Sequence, residues 1–226
     1  INIIIPIPKS SDKIKYWVDK ISQPFTEKEE KENRVKELQT QIQDRIIHIS
    51  ENKDCDEVEF TNLLLYIKKK NNYRASDGFI NGKYRFYTSS QEKILFRDDF
   101  EFKDKHILIG RGGVASLHLT SMFSVSKDDV YVLKPISKNI NINYIYYYIK
   151  INIELIINSF KGSTIKHSSK SELEKIKIKI PKNKNLISDL EPTFQEVERL
   201  QNEIKDAETL FNKYIKELGE EAIKTN

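Results

Sequence analysis

Three short stretches of this sequence carry side chains whose types and spacing suit recognition of a polyanion. The first runs Lys83, Arg85, Tyr87, Thr88, Ser89, Ser90 and Gln91, in the loop that begins at Gly82. Arginine and lysine can bond guanine with two hydrogen bonds, glutamine can do the same for adenine, and hydroxyls bond bases or phosphates. The second is the turn Gly110-Arg111-Gly112-Gly113, together with His118. Its glycines permit close backbone approach, and Arg111 is the natural reader of a base or a phosphate. The third, Lys68, Lys69, Lys70 and Arg74, suits sequence-independent contact with phosphates. Lys166, His167 and Ser168 could extend the same surface, although a structural turn is the simpler reading of them. An exposed hairpin, an ordinary glycine turn and a solvated lysine run are the bland readings of the three stretches.

Other chemistries find less support. His48, His106, His118 and His167 are scattered, without the HExxH spacing, and Cys55 is the single cysteine, so no metal site is expected. The glycine turn has neither the GxxxxGK[ST] nor the GxGxxG form, which excludes the usual nucleotide cradles. No S-adenosylmethionine-type glycine motif and no Asn-Pro-Pro-aromatic motif is present, and no cofactor is expected. One enzymatic alternative remains: Asp77 with Glu101-Phe102-Lys103 loosely mimics a metal-dependent nuclease site. So loose a pattern arises easily by chance in a chain that is 32% charged.

Charge is partitioned along the 226 residues. Residues 1–59 hold ten Lys/Arg against thirteen Asp/Glu, residues 60–190 hold twenty-three against twelve, and residues 191–226 hold five against nine. A basic middle between acidic ends predicts that only the middle meets a polyanion. No apolar stretch approaches the roughly 20 residues of a membrane span, and no signal segment opens the chain, so a cytoplasmic setting is expected. The sequence opens on Ile1 rather than methionine and reads as a piece of a longer polypeptide.

The elements that must position these residues divide likewise. "KELQTQIQDRI" (36–46) and "ERLQNEIKDAE" (198–208) share Leu-Gln-x-x-Ile-x-Asp. Around the second copy, Val197, Leu200, Ile204, Ala207, Phe211, Tyr214 and Leu218 alternate spacings of three and four, an unbroken heptad stripe. Pro192 falls in the first turn of this helix and Gly219 is its expected stop. Around the first copy the stripe is Val35, Leu38, Ile42 and Ile49, with Arg45 at the position matching Ala207 and Ile46 beside it. Thr26-x-x-Glu29 offers a capping box for that helix, which is expected to run to about Ser50. So narrow a seam suits a helix that packs on another helix, and the economical arrangement pairs the two antiparallel. The same seams also offer a surface for self-association.

Between the helices the pattern is short and β-like. Ile107–Ile109 reads as a buried strand, "MFSVSKDDVYVLKP" as two strands broken near Asp128-Asp129, and "NINYIYYYIKINIELIINSF" as helix. A Ser169-x-x-Glu172 capping box precedes an alternating strand from Ile176 to Ile180. "IIIPIPK" (3–9) repeats the β-rich run "IKIKIPK" (176–182), which makes the chain a slice of a tandem duplication whose first copy carries an eleven-residue insertion before the helix.

The order "NGKYRFYTSS", "ILIGRGG", "YIYYYIKINIELIINSFKGSTIKHSSKSELEKIKIKIP" and a long helix resembles the specificity subunit of type I restriction–modification enzymes. The resemblance implies an α+β fold: a mostly-β globular target-recognition domain flanked by two long helices forming an antiparallel coiled coil. It assigns residues 1–51 to the tail of a preceding recognition domain plus a central helix, 52–184 to the target-recognition domain and 185–226 to the C-terminal coiled-coil helix. It implies double-stranded DNA as ligand, each domain reading one half of a bipartite target. The helices would dock methyltransferase subunits and, through them, restriction subunits. The chain itself would be non-catalytic. The parent is either a separate subunit or a recognition segment fused to a methyltransferase.

Overall fold

In the computed structural model the described residues are 10–162 and 166–224, the side chains of 222–224 excepted. Helix α1 (Ser11–Glu51) leads into strands β1 (Cys55–Glu59), β2 (Leu64–Tyr66), β3 (Tyr84–Tyr87), β4 (Leu95–Arg97), β5 (His106–Gly110), β6 (Leu117–Thr120), β7 (Phe123–Val125) and β8 (Val130–Pro135). Helices α2 (Ile142–Ile151) and α3 (Glu154–Ile157), strands β9 (Phe160–Lys161) and β10 (His167–Ser168), helix α4 (Lys170–Leu173), strand β11 (Lys177–Pro181), helix α5 (Asn185–Ser188) and helix α6 (Glu191–Lys224) follow. The chain forms two units, residues 1–42 with 190–226 and residues 43–189.

The first unit pairs α1 with α6. Lys13 and Trp17 bond Glu221, Lys20 bonds Glu217, Lys28 pairs with Glu208, Lys31 with Glu203 and Arg34 with Glu196. Numbers rise on one helix as they fall on the other, so the pair is antiparallel. Val35, Leu38 and Ile42 of α1 and Val197, Leu200, Ala207 and Leu218 of α6 are buried, while Ile204, Phe211 and Tyr214 are half-buried. Further along α1, in the second unit, Ile46 and Ile49 are buried too. The Glu221 carboxyl is held below the usual carboxylate range by its bonds from Lys13 and Trp17. Lys20 lies 4.7 Å from the Trp17 ring and 4.5 Å from that of Tyr214. These ion pairs are largely in water, so their worth is small. Lys28→Ala is expected to change stability by less than about 1 kcal/mol in denaturant unfolding.

Both helix ends differ from the sequence reading. The capping box at Thr26 does not form, because α1 already begins at Ser11 and runs through Pro24. A proline inside a helix costs about 3 kcal/mol. Burial of Trp17 and Pro24 and the Phe25–Phe211 ring contact at 6.1 Å offset that cost. The surplus residues before the first repeat therefore lengthen the helix from Ser11 onward. Gly219 does not stop α6, which continues to Lys224. The "IIIPIPK" run lies outside the described residues.

In the second unit, β2-β8-β5-β6 form a four-stranded antiparallel sheet and β4-β3-β7 a three-stranded one in which β3 and β7 run parallel. Tyr87, Leu108, Phe123, Val125, Val130 and Val132 from both sheets fill one core, joined by Phe102. Strand residues alternate faces. Leu108 therefore points into this core while Ile107 and Ile109, also buried, point to the side where α2 packs on β5 and β6. Coverage on both faces explains why the run His106–Gly110 is buried at every position. β1 pairs with β11, closing the unit's two ends of chain against each other. Asn141 caps α2 by accepting the Tyr144 N–H at 3.0 Å. The Ser169 box does not form: the Ser169 hydroxyl bonds that of Ser171 and Glu172 bonds Lys175. Among the described residues no helix is long and apolar enough to cross a membrane.

Candidate nucleic-acid interface

The site is organised around the end of β5. The Gly110 N–H donates to Ser116 O at 3.0 Å, which closes the following turn, and Gly110 O accepts from the Ser168 hydroxyl at 3.3 Å. A Cβ on Gly110 would lie 2.1 Å from Ser116 Oγ and 2.9 Å from Ser89 O. Glycine at this point is thus what lets the loop 88–91 lie against the turn 110–116. Arg111 is bracketed by its own backbone: its N–H donates to Asp129 O at 2.8 Å and its carbonyl accepts from Ser168 N at 2.9 Å. Gly112 bridges His167, and Gly113, at φ +77, donates to Lys166 O at 3.3 Å. The loop 88–91, the Arg111 turn and the segment 166–168 therefore share one rim.

Cations and rings alternate along that rim. The Arg111 guanidinium lies 5.0 Å from the Tyr131 ring, Tyr131 meets Tyr66 edge-on at 5.3 Å, and Lys170 sits 4.5 Å over Tyr66. Such contacts hold a guanidinium plane in place without spending its hydrogen-bond donors. Lys170 and the two tyrosines escaped the sequence reading because the three come from separate strands and a helix, with no local spacing to betray them.

Exposed Arg85 lies near the half-buried His118 on the neighbouring part of the molecule. Burial first, and then the charge of Arg85, lower the His118 pKa, while its Nε2 lies 3.4 Å from Ser90 O. Gln91 is exposed and accepts the Leu117 N–H at 2.9 Å, which occupies one lone pair of its side-chain carbonyl. Thr88 Oγ1 accepts from Ser90 N and Ser90 Oγ from Lys93 N, so both oxygens shape the loop while their hydroxyl protons stay available. Ser89 is half-buried, and Lys83 is exposed near the Tyr84 ring. Tyr87 departs from the expectation: it is 2% exposed and packs on His118 and Phe123. Its ring serves the core, because β3 is covered on both faces rather than one.

The lysine run also divides. Lys68, Lys70 and Arg74 are exposed. Lys69 instead turns inward and donates to the carbonyls of Ser126 and Lys127, pinning the segment that supplies Asp129 O to Arg111. Burial, and then the nearby charge of Arg111, lower its pKa from 10.5 to about 8. The folded value lies below the unfolded one, so between about 8 and about 10.5 the unfolded chain holds the extra proton and stability rises with pH. Ligand affinity is expected to move the other way. Loss of the ammonium above about pH 8 removes a charge beside Arg111 and its hold on the 126–127 carbonyls. A DNA-affinity titration from about pH 7 to about pH 9.5 checks this. The wild type should weaken while Lys69→Arg stays level, and a level wild-type profile contradicts the role.

The carboxylates of the nuclease alternative are each engaged by a backbone N–H. Asp77 accepts the Arg74 N–H at 2.8 Å, Glu101 accepts the Lys70 N–H, and Lys103 is exposed. Among the described residues no three His, Cys, Asp or Glu side chains gather to hold a metal. Arg97, which no motif singled out, is likewise structural: it bonds Asp99 and Asp77 O, each at 2.7 Å, and lies 3.9 Å over Tyr73. The rim around Arg111, by contrast, offers donors on a glycine-thinned turn, a chemistry suited to phosphate oxygens and base edges.

Residues 52–210 match the family described as the type I restriction modification DNA specificity domain, and the chain belongs to that family. Among solved structures, it is similar to the S subunit of a type I restriction-modification system from M. genitalium, with 13% identity and a TM-score of 0.56. That match covers 92% of this chain and 59% of the other, so this chain spans about three fifths of that subunit. A weaker similarity, with a TM-score of 0.44 and 10% identity, links it to the HsdS subunit from Thermoanaerobacter tengcongensis, over 91% of this chain and 56% of that one. No curated protein matches the sequence. The α+β fold with a long helix at either end of a β-rich middle is shared with the M. genitalium S-subunit structure.

Proposed function

We propose that this chain reads one half of a bipartite DNA target without catalysing any reaction on it. Residues 52–184 form the recognition domain in this reading, and the helices of 1–51 and 185–226 dock methyltransferase subunits and, through them, restriction subunits, in the cytoplasm. Lys83, Arg85, Thr88, Ser89, Ser90, Gln91, Arg111, Gly112, Gly113 and His118 meet the DNA, with Lys68, Lys70 and Arg74 on phosphates. The observation that carries this reading is the convergence of the loop 88–91, the Arg111 turn and the 166–168 segment at the end of β5. The surrounding stretch of excess positive charge supports it.

The test is duplex binding across a salt series with Mg²⁺ present. Affinity should fall linearly on logarithmic axes, and removing a phosphate contact such as Lys70 should reduce the slope by about one. The DNA should be recovered intact. Cleavage by this chain alone contradicts the non-catalytic reading, and affinity indifferent to salt contradicts DNA binding through this surface.

A further inference from the structure

The turn that precedes β3 holds two adjacent large apolar side chains in water: Phe79 is 54% exposed and Ile80 83%. A single exposed apolar residue needs no explanation. A neighbouring pair on a rigid frame is different, because the frame prevents the collapse that would hide it. Phe79 and Phe96 exchange both backbone hydrogen bonds, each at 2.8 Å. Gly78 and Gly82 press the turn onto β4: a Cβ on Gly78 would lie 2.5 Å from the Phe86 ring and 2.7 Å from Leu95, and one on Gly82 2.8 Å from Phe96. Beneath them the clamped Arg97 lies 6.0 Å from the Phe79 ring. The exposed cations Arg74, Lys83 and Arg85 lie in the sequence on either side of the pair.

An apolar tip with cations on either side of it in the sequence and Arg97 beneath it matches a target that is apolar inside and anionic outside, as a base stack behind its phosphates is. Proteins that deform DNA insert Phe and Ile between base steps in this way. We propose that Phe79 and Ile80 form a wedge that enters the DNA base stack and unstacks one step, while Lys83 and Arg85 hold the flanking phosphates. This rests on the DNA-recognition reading above. An apolar protein surface is the less fitting occupant, since the flanking cations would then be desolvated without counter-charges.

The test uses the full chain and a duplex it selects, with 2-aminopurine placed at successive positions. Wild type should raise emission at one step only. Phe79→Ser/Ile80→Ser should abolish that signal and weaken binding about tenfold or more, with the salt slope unchanged because no charge is lost. Ile80→Ser alone, at the more exposed position, should lower the signal without altering thermal unfolding. Binding without unstacking by wild type, or an unaltered signal in the double variant, overturns the wedge and leaves the recognition reading standing. Unchanged DNA binding with lost methyltransferase association assigns the tip to a protein partner and also overturns it. A wild type that binds no duplex overturns the recognition reading itself.

Discussion

Arg111→Ala is expected to lower affinity for the preferred duplex by about 1–3 kcal/mol, roughly 5- to 150-fold, and to relax preference at one base pair. The size follows from how fully the side chain is prepared. Its backbone is tied at N–H to Asp129 and at C=O to Ser168, and its guanidinium rests on Tyr131. Little freedom remains to be lost on binding, and the neighbouring Gly112 and Gly113 keep side-chain bulk away. Arg111→Lys should retain the charge but lose the planar fork, keeping non-specific affinity while losing discrimination. Competition among duplexes substituted one position at a time reads the difference. Equal weakening on every duplex, with the salt slope reduced by about one, would make Arg111 a phosphate contact instead.

Gly110→Val is expected to destabilise the second unit by about 3 kcal/mol or more and to abolish selective binding. The first added carbon would fall 2.1 Å from Ser116 Oγ and 2.9 Å from the Ser89 carbonyl. Ser116 is fully buried, so its side chain has nowhere to retreat, and the Ser89 contact is backbone. The loop 88–91 and the turn 110–116 must therefore separate, which also disturbs Gln91 on Leu117 and Ser168 on Gly110. Thermal unfolding measures the first effect and competition binding the second. Gly110→Ala with Ser116→Gly should recover part of the stability, because it removes the closer of the two clashes. A variant that unfolds like wild type and retains selectivity contradicts this account of the rim.

What the sequence disclosed followed from regular spacing. The heptads of α6 and the second half of α1 were visible because a two-helix seam repeats every few residues, and β5 was visible as a short unbroken apolar run ending in glycine. The start of α1 was not, because Pro24 lies in a helix that tertiary burial of Trp17 sustains, and local propensity does not record that burial. Gly219 misled for the same reason: a weak helix former is tolerated where the flanking turns are paired. Tyr87 counts among the loop residues by its place after Gly82, whereas it lies in β3, where both it and Phe86 are buried. In the candidate interface the residue types were legible, but their company was not. Nothing local links Ser89 to Gly110, Ser168 to Arg111, or Lys170 to Tyr66, since each contact joins distant segments. Lys69 shows the limit most plainly, because among three consecutive lysines only the fold selects the one that turns inward.

The most direct measurement is selection from random duplex DNA with this chain, at low and at near-physiological salt, followed by sequencing of the bound pool. The account predicts enrichment of one short, non-palindromic motif that survives the higher salt, as expected of a single half-site reader. A bound pool with no enriched sequence at either salt would contradict it, leaving only the electrostatic attraction of a basic surface for DNA.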